Sequence, residues 1–210
     1  MFAIGRRTLL LGAAATAAGC NRAESQGGAS PDDMAIGAAD APITLIEYAS
    51  VTCGHCATFH AEVWPQLKAN YIDTGKVRFI FREFPTDPVQ IAVAGFQLAR
   101  CNGAASDQYL VRIGELFRQQ GAIFASGSMA GVRDKFIEIG GAAGLSQEQV
   151  MQCIADPAGA ERIRRTVEAA NRDFSVTGTP TFILNGVKVE DPGTRTYEGM
   201  ARILDAALAR

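Results

Sequence analysis

The run Ile43–Ala49 is apolar apart from Thr44 and Glu47 and rich in β-branched residues, as a buried strand is. Directly after it the period lengthens: Phe59, Val63 and Leu67 recur every four residues, which predicts a helix from Cys56 to about Tyr71, kinked at Pro65. Asp73-Thr74-Gly75-Lys76 then reads as a polar turn, and 77–84 as a second strand ended by Pro85. Strand, helix, strand requires a parallel pair joined by a right-handed crossover. From residue 88 to 174 the pattern is helical throughout. Helices are predicted over 89–100, 108–119 and 129–139, a fourth is opened by a capping box at Ser146 and Gln149, and a fifth over 160–174 carries Ile163, Val167, Ala170 and Phe174 on one face. Strand periodicity returns at 182–184, followed by an Asn185-Gly186 type I′ turn, a return strand over 187–189, and a closing amphipathic helix over 196–209. The chain thus reads as an α/β core, 36–86 and 175–210, with an all-helical subdomain, 87–174, inserted into it or laid over it.

The first twenty residues have another character. Arg6-Arg7, an uncharged Leu- and Ala-rich run, and small residues before Cys20 read as an export signal, too short to span a bilayer stably. The arginine pair resembles a twin-arginine signal, but general secretion signals also begin this way, so both routes stay open. Ala17-Ala18-Gly19-Cys20 resembles a lipobox, which would put a lipid on Cys20; cleavage after Ala17 is the alternative. Lipid on Cys20 would account for the odd number of cysteines, five in all, and leave two pairs. Residues 21–35 are polar, bear Gly and Ser, and read as a flexible tether.

Composition narrows the field. A chain of 210 residues that is 48% hydrophobic can bury a sizeable core, which excludes disorder. With 20 basic against 22 acidic residues there is no basic excess to hold a polyanion, so nucleic acid is set aside.

The candidate chemistry lies in Cys53-Gly54-His55-Cys56. Two cysteines separated by two residues, between a strand and a helix, put the first sulfur at a helix N-terminus, where unpaired N–H groups favour a thiolate. Glu47, six residues before Cys53, is either on the solvent face of an edge strand or a buried carboxylate that carries a proton for the inner thiol. His55 is placed to lower the thiol's pKa by hydrogen bonding or charge; the bland alternative is a solvated loop histidine. His60 and Trp64 read as packing residues. Cys101 and Cys153, within one helical unit of an exported chain, are expected to be bridged, closing a loop worth about 4 kcal/mol in the chain-entropy description; two buried free thiols are the alternative. No second CxxC exists to complete a zinc site, so neither metal nor cofactor is expected.

A strand leading into Cys53-Gly54-His55-Cys56 on a kinked helix, with Gly178-Thr179-Pro180-Thr181-Phe182 opening a distant hairpin, resembles the thioredoxin fold. The helical insert between the halves resembles the DsbA-type thiol:disulfide oxidoreductases of bacterial cell envelopes. The resemblance implies that Cys53 exchanges with substrate, that Cys56 is its buried partner, that Pro180 is a cis proline against the disulfide, that Thr179 offers its backbone to a substrate strand, and that Glu47 is the buried acid. It also implies a periplasmic or envelope location, reduced exported polypeptides as substrates and a DsbB-like membrane quinone reductase as reoxidant. Gly54-His55 departs from the Pro-His frequent in that family and matches protein disulfide isomerase; reference potentials of about −120 mV for DsbA and −180 mV for the isomerase bracket the expectation. The favoured reading is a monomeric oxidase, because 21–36 is too short and polar to dimerise. The rivals are an isomerase or reductase of the same fold, a lipid-tethered holdase without redox turnover, and a metal-binding module.

Overall fold

The computed structural model describes Met1 and residues 30–210. The export signal, the choice of export route, Cys20 and most of the tether lie outside the described residues. Five strands form one sheet in the order β1-β3-β2-β4-β5, with β1 Met34–Ile36, β2 Ile43–Ala49, β3 Val77–Glu83, β4 Thr181–Leu184 and β5 Val187–Lys188. β2 and β3 pair in parallel, and every other pair is antiparallel. β2 is therefore central, and all its residues but Thr44 are buried. That burial fixes the register, since a slip of one residue would turn each side chain to the opposite face. From sequence the first strand is expected at Ile43 and the domain at residue 36; β1 lies before that strand, and its residues 34 and 35 are already paired with β3.

After β2 the chain enters α1, Gly54–Glu62, breaks at Val63 and resumes as α2, Trp64–Leu67, which runs into a widened π turn, 68–72. The break follows from Pro65, which has no N–H for the carbonyl of Ala61 and crowds it. Between β3 and β4 run α3 Val89–Arg100, α4 Ser106–Arg118, α5 Gln120–Ala125, α6 Met129–Ala142, α7 Gln147–Ile154 and α8 Pro157–Phe174; α9, Tyr197–Leu208, closes the chain. The Ser146 and Gln149 capping box forms as expected. α5 has no signal in the sequence because only Ile123 of its six residues is buried, too few to show a period.

One face of the sheet shares a single core with the helices: Leu45, Phe79, Phe81 and Phe182 pack with Phe59, Leu67, Phe96, Tyr109, Leu116, Phe136 and Leu204. The other face, with Ile46, Tyr48, Ile80 and Ile183, is covered by Ala170 and Phe174 of α8. At the end of β3, Glu83 is 1% exposed and gathers three helices. Its Oε1 accepts from Arg100 Nε at 2.7 Å and from the Tyr109 hydroxyl at 3.1 Å, and its Oε2 lies 3.6 Å from a guanidinium nitrogen of Arg162.

Cys101 and Cys153 are bridged, tying the end of α3 to α7 across a separation of 52 residues. Replacing both with alanine is expected to lower the melting temperature by about 10 °C, from roughly 4 kcal/mol of lost chain restraint in a domain this size. Thermal unfolding of the double variant against wild type measures it; equal midpoints would show that the bridge does not restrain the unfolded chain.

Candidate active site

β2 delivers the chain to a tight turn at residues 50–53, where hydroxyls do the fastening. The buried Ser50 Oγ accepts the N–H groups of Thr52 at 3.3 Å and Thr86 at 3.1 Å. The Thr52 hydroxyl donates to the Thr86 carbonyl at 2.8 Å. Ser50 O accepts from the Cys53 N–H at 3.0 Å, and Gln120 Nε2, on α5, donates to Val51 O at 2.8 Å. The cysteine turn is thereby anchored to the loop after β3 and to the helical segment. Sequence reading missed Ser50, Thr52, Thr86 and Gln120; the hydroxyls beside the cysteines were visible, but their partners lie 34 to 69 residues away.

Cys53 is the N-cap of α1, and its Sγ accepts the Cys56 N–H at 3.3 Å. As a thiol it donates to the carbonyl of Thr179, also at 3.3 Å. That bond sets the segment before β4 against Cys53, and the peptide bond joining Thr179 to Pro180 is cis; a second cis bond, Asp87-Pro88, had no counterpart among the expectations. Both active cysteines are free thiols.

The two sulfurs are driven apart electrostatically. Cys53 is lowered to about 6, first by a hydrogen bond from the Cys56 thiol and then, against the opposing effect of partial burial, by the Thr179 side chain and the N–H groups of Cys56 and His55. Cys56, fully buried, is pushed strongly upward by desolvation, by its bond to Cys53 and by the charge of Glu47. Among the groups acting on Cys53, His55 contributes its backbone N–H, as the expected helix N-terminal effect requires, and the residue is exposed.

Glu47 is 0% exposed, which excludes the solvent-face alternative. It sits between Phe81 of β3 and Phe182 of β4 in register, and its Oε2 is hydrogen-bonded to His60 Nε2 at 2.9 Å. His60, expected only to pack, is thus the carboxylate's partner. A Cβ added at Gly54 would meet only Gln120 Oε1, at 4.0 Å, so space does not require glycine there. Among the described residues, no group of three or more His, Cys, Asp or Glu side chains is placed to hold a metal ion, and no helix is long and apolar enough to cross a membrane.

Comparison with known proteins agrees with this geometry. A family model described as "Thioredoxin" matches residues 29–206. A Rickettsia bellii protein named "Putative protein-disulfide oxidoreductase" is 31% identical over 76% of this chain and 60% of its own length. The chain thus spans about three fifths of the Rickettsia relatives it matches. Wolbachia pipientis alpha-DsbA1 superposes with a TM-score of 0.76 at 27% identity, covering 86% of this chain and 93% of that one. Oxidised BdbD of Bacillus subtilis shares the fold, with a TM-score of 0.70 at 18% identity over 85% of this chain and 94% of that one. The chain belongs to the thioredoxin family, with DsbA-type proteins among its structural relatives.

Proposed function

We propose that the protein is a thiol:disulfide oxidoreductase that donates a Cys53–Cys56 disulfide to reduced, exported polypeptides. A substrate thiolate attacks Cys53 Sγ, and the electron pair of the S–S bond leaves on Cys56, which takes a proton. The substrate's second thiolate then attacks its own sulfur in the mixed disulfide and expels Cys53 as a thiolate. Two electrons pass from substrate to protein. The observation that carries this reading is the asymmetry of the two sulfurs: a half-buried Cys53 at about 6, beside Thr179 and cis Pro180, and a buried Cys56 pushed upward. A stabilised thiolate stabilises the reduced protein and leaves quickly, which favours donation of the disulfide. Glu47, whose charge acts on Cys56, is the proton carrier in this reading. Thr179 and Pro180 dock the substrate strand. The proposal extends to a periplasmic or envelope location, a monomeric state, residues 87–174 as a helical subdomain on the thioredoxin core, and reoxidation by a DsbB-like quinone reductase.

Equilibration with glutathione tests the direction. A potential more oxidising than about −200 mV is expected; one near thioredoxin's, at about −270 mV, would make the protein a reductase. The pH dependence follows from Cys53. Its folded pKa lies below the usual 9.0, so the reduced form gains stability in full above the unfolded thiol's pKa and loses it as pH falls through about 6. The denaturant midpoint of the reduced protein relative to the oxidised should therefore be higher at pH 8 than at pH 5, while absorbance at 240 nm tracks the thiolate.

A further inference from the structure

A carboxylate removed from water needs a proton or a counter-charge, and Glu47 is 0% exposed. The group that meets it is His60, whose side chain is 5% exposed. Two aromatic rings lie tilted against the imidazole, Phe117 at 4.5 Å and 32° and Trp64 at 5.2 Å and 30°. The hydrogen bond uses Oε2 of Glu47, while Oε1 is buried and without a hydrogen-bond partner among the described residues. The neighbours from the other packed elements are Phe81 of β3, Phe182 of β4, Trp64 of α2 and Phe117 of α4, none of them titratable. The titratable groups that remain are on α1: Cys56, which feels the Glu47 charge, and Cys53 beside it.

We propose that His60 is a positioning residue of the exchange reaction: it holds Glu47 through Oε2, leaves Oε1 for Cys56, and shares with Glu47 the single proton that Cys56 takes up or releases. The inference rests on the reading of Cys56 and Glu47 given above. When substrate attack on Cys53 breaks the S–S bond, Cys56 leaves as a thiolate in an apolar site. The proton shared by Glu47 and His60 passes to that sulfur, and the pair regains a proton from solvent. In the reverse direction Cys56 loses its proton to the pair before it attacks a mixed disulfide at Cys53.

The test is the rate at which the oxidised protein is reduced by a dithiol peptide, measured from pH 5 to pH 9 in wild type, His60→Gln, Glu47→Gln and the double variant. Glutamine keeps an N–H donor but does not exchange a proton in this range. His60→Gln is expected to slow the step about tenfold near neutral pH and to remove any inflection other than that of Cys53. The double variant is expected to be no slower than Glu47→Gln, because the two residues act as one unit. A wild-type rate and profile in His60→Gln beside a slow Glu47→Gln overturns this inference alone, as do effects that multiply in the double variant. A wild-type rate in Glu47→Gln overturns it together with the reading of Glu47 beneath it. A wild-type protein that accepts no electrons from the peptide removes the proposed function itself. Should His60→Gln fail to fold, nitrogen NMR of the wild-type imidazole decides instead: ring shifts that change between pH 5 and pH 9 support a proton exchanged with solvent by the pair, and a ring constant across that range in both redox states overturns it.

Discussion

Replacing Cys53 with alanine is expected to abolish catalysed oxidation of reduced, unfolded substrate, a loss of roughly a thousandfold or more, since the attacked sulfur is gone and nothing substitutes for it. Cys56→Ser should behave differently. Cys53 keeps its place at the N-cap of α1 and its bond to the Thr179 carbonyl, so its thiolate can still attack a substrate disulfide. Without Cys56 the protein has no disulfide to donate, so oxidation of reduced substrate should be lost. Offered a substrate disulfide instead, Cys53 displaces one of its sulfurs, no Cys56 thiolate follows to release the product, and the mixed disulfide should accumulate and be visible by mass spectrometry. The same variant removes the largest influence holding Cys53 near 6, the hydrogen bond from Cys56, so its thiolate should titrate at higher pH. Unchanged activity of Cys53→Ala on the reduced, unfolded substrate would instead overturn the oxidase reading and leave a holdase that needs no cysteine.

The second large effect lies away from the site. Glu83→Ala should destabilise the fold by about 3–5 kcal/mol, because Arg100 and Arg162 would keep their charges in a largely buried place with the carboxylate gone. The Tyr109 hydroxyl, itself fully buried, would lose its acceptor as well. A melting temperature lowered by roughly 10 °C or more is the readout, and a shift within the range of a surface substitution would show that the cluster relaxes into water. Glu83→Gln tests the charge separately: it keeps an acceptor for Tyr109 and should lie between wild type and alanine.

The two carboxylates show how differently sequence and structure inform. Glu47 and Glu83 each stand in a strand pattern of alternating and apolar residues, and nothing local separates a carboxylate that serves a sulfur from one that clamps helices. Their partners decide it. His60 is 13 residues from Glu47, while Arg100, Tyr109 and Arg162 reach Glu83 from three different helices. A hydrogen bond between residues far apart in the chain leaves no periodic trace, because each partner needs only to be polar at one position.

Local chemistry was legible wherever it was dictated locally. The buried run of β2, the break before Pro65, the capping box at Ser146 and the left-handed pair Asn185-Gly186, with φ of 48° and 82°, each follow from the residues at that point. So did the adjacency of Cys53 and Cys56 at a helix start, which is a matter of spacing. β1 and α5 escaped because three and six residues are shorter than the window over which a period can be recognised.

The order of amino acids alone was enough to specify most of the elements and the placing of two cysteines at a helix start, because helix and strand periods and N-terminal polarity are properties of neighbours. Only the tertiary structure decided that the Cys56 thiol and the Thr179 segment act on Cys53, that His60 meets Glu47, and that Ser50, Thr86 and Gln120 hold the turn. Those outcomes depend on burial and on contacts between distant segments, and a pKa is set by what the fold places around a group, not by the residue's place in the chain.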